Sequence, residues 1–238
     1  MQTHRRFVAH IDILGMREMV RRDAEYAWKA LSGLADVRDY LTRLALTRAQ
    51  SGKSEALAER VFSVMFSDTI VLFTKTDGDD DLQTILIACG ELLHKAMFNF
   101  VPVRIGVAGG QFFFNIESSM YSGPALIEAY EIGERAQWLG VVTTEAVWQQ
   151  ACAANFKSGE EEIIVRAKIP TKNGAKPGFA MNWVACYRHD FKVKPPISVE
   201  LFYSHFEDAF GPFSELPMSQ QQKYVNTTDF INERLLQT

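Results

Sequence analysis

The sequence lacks the features that mark membrane-spanning, secreted or nucleic-acid-binding proteins. None of its apolar runs approaches the roughly 18 residues that a membrane-spanning helix requires. The first residues have neither the apolar core nor the small-residue cleavage site of a signal peptide. The formal net charge of −4 offers no broad basic surface to a nucleic-acid backbone. We therefore expect a cytoplasmic protein that binds neither membranes nor nucleic acids.

Cysteine is also scarce, and the pattern of the three cysteines excludes two common roles. Cys89, Cys152 and Cys186 are odd in number, far apart and set in apolar surroundings. This pattern indicates buried thiols in a reducing compartment, and neither a disulfide framework nor a zinc site. The chain also contains no P-loop and no nucleophile elbow. What it does contain is enough apolar sequence, 47% of 238 residues, to form a sizeable core.

Hydrophobic periodicity predicts alternating strands and helices in most of the chain. The predicted elements are a strand at 7–14, helices over 19–48 with a break at Ser32 and Gly33, a hairpin over 60–75, a helix over 82–98, a strand at 101–107, a helix over 124–138, a strand at 140–143, and strands at 163–168 and 179–187 joined by a basic loop at 170–176. This βααββαβ order predicts a ferredoxin-like α+β fold, with a mostly antiparallel central sheet and helices on one face.

The remaining polar and proline-rich sequence predicts an appendage. We expect residues 1–187 to form the main domain, and residues 188–238 to form a C-terminal arm that packs on the domain or on a dimer partner. A helix near 228–236 would end this arm. The uncovered face of the sheet is aromatic and apolar, so a symmetric partner is a natural cover for it.

Two aspartates stand where this fold brings strand ends together. Asp12 lies near the end of the first strand, and Asp68 lies at the tip of the hairpin. Two converging carboxylates among apolar residues need a proton or a cation, and hard oxygen ligands suit Mg²⁺ or Mn²⁺. The alternative is that Asp68 is a turn residue and Asp12 caps a strand. His10, on the same strand face, is either a neighbour of the metal ligands or a core histidine.

The motifs around these aspartates, in their order, resemble those of class III nucleotide cyclases. FVAHIDILGM resembles the first strand and phosphate-binding turn of that family, and VMFSDTIVLF resembles its hairpin with the second metal aspartate. VRIGVAGG and YSGPALIEAYEIGE resemble the next strand and the glycine-initiated helix. The resemblance spans residues 6–187. IPTKNG, FAMNW and KYVNTTDFI further resemble the pyrimidine cyclases of the bacterial Pycsar anti-phage systems.

The resemblance implies a residue-by-residue site. Asp12, Asp68 and the main-chain carbonyl of Ile13 would ligate two divalent cations, Mn²⁺ or Mg²⁺. Phosphate groups would be bound by the main-chain amides of Leu14, Gly15 and Met16. The late lysine of the family would be Lys172, with Lys168 and Lys176 as alternatives. A solvated loop is the simpler interpretation of these three lysines.

Departures from the family pattern concern the base and the transition state. Val64 and Met120 occupy the places of the purine-reading residues, and neither side chain can make the required hydrogen bonds. Their loss argues against adenine and guanine. Ile127 and Glu131 occupy the places of the transition-state asparagine and arginine. Arg135, one turn later, is a candidate substitute, although a surface arginine is the simpler interpretation.

By resemblance, the protein is expected to convert UTP, or less readily CTP, to the 3′,5′-cyclic monophosphate and pyrophosphate. It would act as a head-to-tail homodimer with composite active sites. The product would be a second messenger for anti-phage defence, read by a separate effector protein that the enzyme need not contact. Two alternatives stay open: a catalytically dead, cyclase-like nucleotide sensor, and an adenylate cyclase with atypical base contacts.

Overall fold

The computed structural model describes residues 4–34, 60–158, 161–184 and 195–236. The strands are β1 (Arg5–Ile13), β2 (Val61–Phe66), β3 (Thr69–Thr74), β4 (Val103–Gln111), β5 (Phe113–Asn115), β6 (Met120–Ser122), β7 (Gly140–Thr143), β8 (Lys157–Ser158), β9 (Glu161–Glu162), β10 (Ile164–Thr171) and β11 (Gly174–Met181). The helices are α1 (Met16–Arg22), α2 (described over 24–34), α3 (Asp79–Phe98), α4 (Pro124–Arg135), α5 (Glu145–Ala153), α6 (Val199–Tyr203), α7 (Glu207–Phe210) and α8 (Met218–Leu236).

Seven of these strands form one central sheet in the order β10-β11-β7-β4-β1-β3-β2. Only the β4–β7 pair is parallel, and the other neighbouring pairs are antiparallel. The parallel pair follows from the connection, because a chain that crosses over through helix α4 returns in the same direction. The prediction of an α+β fold with a mostly antiparallel sheet is confirmed.

Strand alternation divides β1 between the two faces of the sheet. Phe7, Ala9, Ile11 and Ile13 are buried in the main hydrophobic core, to which α3 also contributes. Val8 belongs to a second, smaller cluster with Phe73, Phe112 and Ala125 on the opposite face. His10 and Asp12 follow Val8 on that face. Helix α4, which carries Ala125, therefore packs on the face of the sheet opposite the main core.

Helix α4 lies directly on the sheet because glycine removes the side chain at the crossing. A Cβ atom at Gly106 of β4 would lie 2.0 Å from the Ala129 carbonyl oxygen and 2.8 Å from the Gly133 nitrogen. Gly133 in turn would place a Cβ atom 3.1 Å from the Gly106 nitrogen. The Gly106 distances are too short for any side chain, and a Cβ atom at Gly133 would be tightly crowded, so the two glycines permit the close approach. The end of α4 is thereby fixed next to β1 and β4.

Two predicted boundaries were wrong for identifiable reasons. Within residues 16–34 the helical break is at Asp23, not at Ser32 and Gly33: Asp23 is extended, and its carboxylate accepts bonds from the amides of Glu25 and Tyr26. The predicted helix over 35–48 lies outside the described residues. The predicted basic loop 170–176 is mostly strand. Its threonine, Thr171, closes a tight turn before Gly174 by donating to the glycine carbonyl, so β10 and β11 form a hairpin.

The C-terminal segment packs on the sheet domain. Helix α8 begins at Met218, ten residues before the predicted helix near 228–236. The Phe230 ring meets Trp138 edge-on, with ring centroids 4.7 Å apart, and both side chains belong to the main core. The proposed boundary at residues 187 and 188 lies outside the described residues. Within the described ranges, no helix has the length and apolar character that crossing a bilayer requires.

Candidate active site

Asp12 and Asp68 come from neighbouring chain segments at one edge of the sheet. Asp12 is the penultimate residue of β1, and its register partner on β3 is Thr69, the residue after Asp68. The Ile13 amide donates a hydrogen bond of 3.0 Å to the Asp68 carbonyl oxygen, which fixes the hairpin turn against the end of β1. The structure therefore brings these two aspartates together.

The imidazole of His10 is close enough to respond to both carboxylates. Burial lowers the pKa of His10, while the charges of Asp12 and Asp68 act in the opposite direction. The edge of the His10 ring meets Tyr130 of α4 at a centroid distance of 5.1 Å. The half-buried His10 side chain thus lies between α4 and the edge of the sheet that holds Asp12 and Asp68 (the acidic edge). Its lowered pKa favours the neutral imidazole.

Arg104 of β4 is bound between two carboxylates. Its Nε and Nη2 atoms lie 2.8 and 2.7 Å from Asp12 Oδ2. The same guanidinium donates to the Glu134 carbonyl oxygen at 3.0 Å and pairs with the Glu134 carboxylate. The Arg104 side chain is only 8% exposed, so this is a largely desolvated ion-pair network. No described side chain bonds to the other Asp12 oxygen, Oδ1, which stays available to a cation.

The charges of this edge suit a divalent ion that brings some of its own ligands. Asp12, Asp68 and Glu134 are three carboxylates, against the two cations Arg104 and, on α8, Lys223, so negative charge is in excess. In the described ranges, no three His, Cys, Asp or Glu side chains are grouped to hold a metal ion by themselves. Mg²⁺ and Mn²⁺ are commonly bound by one or two carboxylates and complete their coordination with phosphate oxygens and water. The residues present fit that kind of ion.

The turn after β1 offers fewer free amides than the sequence predicts. The Leu14 amide donates to the Pro102 carbonyl oxygen at 2.8 Å, so it is not available to a phosphate and that prediction is corrected. Gly15, the N-cap residue before helix α1, has a φ angle of 72°, a conformation that glycine adopts without strain. The amides of Gly15 and Met16 have no acceptor among the described residues.

Val64 and Met120 have different surroundings. Val64 lies on β2 and lines a pocket of about 240 Å³ whose other walls include Phe62, Phe73 and Tyr121. Met120 does not line this pocket, and 65% of its surface is exposed. The pocket is lined by apolar side chains and by the hydroxyl-bearing residues Ser63 and Tyr121. It can therefore accept a flat ring, and its side chains offer few polar groups to read a base edge.

Arg135 and Lys172 are not brought to the aspartates by direct contacts within one chain. Arg135 pairs with Glu131 one turn earlier at 2.6 Å, and 67% of its side chain is exposed. Lys172 is exposed at the tip of the β10–β11 hairpin. The pKa of Lys223 on α8 is lowered mainly by burial. The positive charge of Lys172 also lowers this pKa, and the negative charge of Asp12 raises it. The hairpin tip therefore faces the same region as the end of β1.

The sequence analysis did not identify three residues as part of this site: Arg104, Glu134 and Lys223. Arg104 is the only charged residue in the apolar strand β4, and that isolation was a usable signal. Glu134 is an ordinary helix residue in sequence, and only the crossing of α4 over the sheet brings it to Arg104. Lys223 comes from a helix about 120 residues further along the chain than Arg104, so no local pattern could place it there.

Comparison with solved structures identifies the fold. The catalytic core of a rhodopsin-guanylyl cyclase with converted specificity, in complex with ATPαS, aligns with a TM-score of 0.55 at 10% identity, over 74% of this chain and 94% of that one. The dimeric guanylyl cyclase domain of the RhoGC fusion protein from the aquatic fungus Blastocladiella emersonii aligns with a TM-score of 0.52 at 11% identity, over 75% and 96%. No protein-family model and no curated protein matches the sequence. The chain has the fold of a guanylyl cyclase catalytic domain.

Proposed function

We propose that the protein is a class III nucleotide cyclase that converts a pyrimidine nucleoside triphosphate, UTP in preference to CTP, to the 3′,5′-cyclic monophosphate and pyrophosphate. The observation that carries the proposal is the meeting of Asp12 and Asp68 at one sheet edge in a fold shared with guanylyl cyclase catalytic domains. The preference for UTP rests on the sequence resemblance to the Pycsar pyrimidine cyclases.

The reaction is an intramolecular displacement. The ribose 3′-oxygen attacks the α-phosphorus, the bond to the bridging oxygen of the β-phosphate breaks, and the hydroxyl proton passes to solvent. Asp12, Asp68 and the Ile13 carbonyl are the proposed ligands of two divalent cations, Mn²⁺ or Mg²⁺. When bound, these ions would acidify the 3′-hydroxyl and offset the charge of the departing pyrophosphate. The protein itself holds the nucleotide in the folded geometry that attack requires.

The phosphate groups have candidate donors on two segments. The free amides of Gly15 and Met16 supply neutral donors beside Asp12. Lys172, at the hairpin tip, is the proposed lysine for the triphosphate. These donors would orient the chain of phosphates so that pyrophosphate leaves in line with the attacking oxygen.

The pocket beside Val64 is the proposed base site. A pocket of about 240 Å³ has room for a single pyrimidine ring. Valine cannot form the hydrogen bonds by which purine cyclases select adenine or guanine, and a site without those bonds loses that selectivity. Met120, which is highly exposed in one chain, would contact the base only when a partner covers this surface.

A head-to-tail homodimer with composite sites is part of the proposal. Phe66 is 82% exposed and Ile127 is 60% exposed, both on the α4 side of the sheet. Large exposed apolar side chains on one face are typical of protein interfaces. Arg135 lies on the same helix as Ile127 and would act on the partner's site, in place of the transition-state residues that Ile127 and Glu131 replace.

We place this activity in the cytoplasm, where the cyclic nucleotide would act as a second messenger in anti-phage defence. A separate effector protein would bind the messenger, with no need for contact with the cyclase. This role rests on the sequence resemblance, and it requires that the protein release its product into solution.

The decisive experiment offers ATP, GTP, CTP and UTP separately to the purified protein with Mn²⁺ and identifies the products by mass spectrometry. The proposal requires cyclic UMP as the main product. Asp12→Ala and Asp68→Ala should each abolish turnover without unfolding the protein, whereas Asp229→Ala, at an exposed aspartate of α8, should keep it. Cyclic AMP alone would support an adenylate cyclase with atypical base contacts.

Two ion pairs favour the sensor alternative. Arg104 already neutralises Asp12, and Arg135, the candidate transition-state arginine, is paired with Glu131. A protein of this kind would bind a nucleotide without cleaving it. Tight nucleotide binding by calorimetry, with no release of pyrophosphate from any of the four triphosphates, would identify a sensor.

A further inference from the structure

Helix α8 is attached to the segment that follows α4. The Asn226 side-chain amide donates to the Gln137 carbonyl oxygen at 2.6 Å, and the Leu139 amide donates to the Thr227 hydroxyl at 2.8 Å. The Thr227 hydroxyl in turn donates to the Lys223 carbonyl oxygen at 2.7 Å. The turn of α8 that begins with Lys223 is therefore fixed against residues 137–139.

This attachment brings Lys223 to the acidic edge of the sheet. Glu134, three residues before Gln137, pairs with Arg104, and Arg104 bonds to Asp12. The pKa of Lys223 is lowered, mainly by burial, and it also responds to the charges of Arg104, Asp12, Glu134 and Lys172. Lys223 is therefore near the aspartate of its own chain and near the tip of the β10–β11 hairpin.

Lys223 has no counter-ion in the part of the chain that the structure describes. Its side chain is partly buried, yet none of the described hydrogen bonds or ion pairs involves its ammonium group. The nearby carboxylates of Asp12 and Glu134 are already engaged with Arg104. A partly buried, unpaired cation is unfavourable and is stabilised by an anion that enters its surroundings.

We propose that Lys223 binds the triphosphate of the substrate, in the same chain as Asp12, so that the C-terminal helix completes the active site. This inference rests on the proposed function for the identity of its ligand, an anion of the polyphosphate class. The Lys223 ammonium and the cations held by Asp12 and Asp68 would contact the phosphates from different sides. Lys172 would approach from the hairpin tip, as a second and more exposed cation.

The test measures binding rather than turnover. Inorganic tripolyphosphate is titrated by calorimetry, with and without Mg²⁺, into the wild-type chain and into Lys223→Met, Lys223→Arg and Lys157→Met. Lys157 is an exposed lysine on β8 and serves as the matched control. A charge-assisted hydrogen bond is lost in Lys223→Met, so binding should weaken roughly tenfold to a hundredfold. Lys223→Arg should recover most of that loss, and Lys157→Met should bind as the wild type does.

Thermal melting separates a binding role from a structural one. Without ligand, Lys223→Met should melt at or above the wild-type temperature, because the unpaired cation is gone. With tripolyphosphate, the wild type should gain more in melting temperature than the variant. Equal tripolyphosphate affinity in the wild type and Lys223→Met would overturn the inference, as would a Lys223→Met chain that melts lower and gains as much from the ligand.

The outcome is independent of the nucleotide assay. If none of the four triphosphates is cyclised but Lys223→Met still weakens tripolyphosphate binding, the proposed reaction fails and the polyphosphate site stands. If cyclic UMP is formed and the affinity is unchanged in Lys223→Met, the reaction stands and the role of Lys223 is refuted.

Discussion

Replacement of Arg104 by methionine removes the only described ion-pair partner of Asp12 while keeping the apolar part of the side chain. Loss of one partner from a buried ion pair costs about 3–5 kcal/mol. Asp12 and Glu134 retain 25% and 41% of their side-chain surface, so water can solvate the released carboxylates. We therefore expect Arg104→Met to lower the free energy of unfolding by about 2–3 kcal/mol in the absence of metal.

Divalent cations should recover part of this loss. With Asp12 released, Mn²⁺ meets a stronger negative field and should bind Arg104→Met more tightly than the wild type. Each tenfold gain in affinity adds about 1.4 kcal/mol of stability at saturating metal. The assay is urea unfolding, followed by circular dichroism, in EDTA and in Mn²⁺. Equal stabilisation of both proteins by Mn²⁺ would refute the idea that Arg104 and a metal share the charge of Asp12.

The control for this experiment is Arg135→Met. Arg135 forms an exposed pair with Glu131 one helical turn away, and such pairs contribute about 0.3–0.5 kcal/mol. Its removal should change the free energy of unfolding by no more than that amount, with and without Mn²⁺. A loss as large as that of Arg104→Met would mean that burial does not govern these ion pairs.

Further predictions concern α4, α8 and the dimer. Gly106→Ala should lower the free energy of unfolding, measured by urea titration, by about 2 kcal/mol or more, because its Cβ atom would lie 2.0 Å from the Ala129 carbonyl oxygen. Gly110→Ala is the control: its Cβ atom would lie 3.6 Å from the nearest neighbour, so its stability should be nearly unchanged. Burial lowers the pKa of Lys223 from its ordinary 10.5, so the wild type has its full stability above that pH and loses stability as the pH falls through the folded-state pKa. Lys223→Met should therefore be the more stable protein at pH 7, with an advantage that disappears above pH 10.5; an advantage independent of pH contradicts this. Mixing Asp12→Ala with Lys223→Met should restore no cyclase activity, because each dimeric site then lacks one of two residues from the same chain; restored activity would mean that Lys223 acts on the partner's site.

The features that could be predicted from the sequence are those with local causes. Alternating apolar residues identify β1, and the Ser67–Asp68 turn between two apolar runs identifies the β2–β3 hairpin. The structure has both, with β1 at Arg5–Ile13 and the hairpin strands on either side of the turn. Antiparallel neighbours then bring the end of β1 to the hairpin turn, which is why Asp12 and Asp68 could be named together.

Other parts of the site depend on contacts between residues far apart in sequence. Arg104 meets Asp12 across 92 positions and Glu134 across 30, and periodicity contains no information about such pairs. The crossing of α4 depends on Gly106, whose role is visible only when the helix is in place. The Leu14 amide was assigned to a phosphate because its acceptor, the Pro102 carbonyl, lies in another loop. The sheet edge was predictable, whereas its electrostatic surroundings required the tertiary structure.

The proposed activity requires that Asp12 and Asp68 together hold divalent cations beside a triphosphate. The most direct measurement is an anomalous difference map from crystals grown with Mn²⁺ and a UTP analogue that cannot cyclise. We expect manganese peaks in contact with both carboxylates and with phosphate oxygens. A nucleotide bound without metal at these two aspartates, or manganese bound elsewhere in the chain, would contradict it.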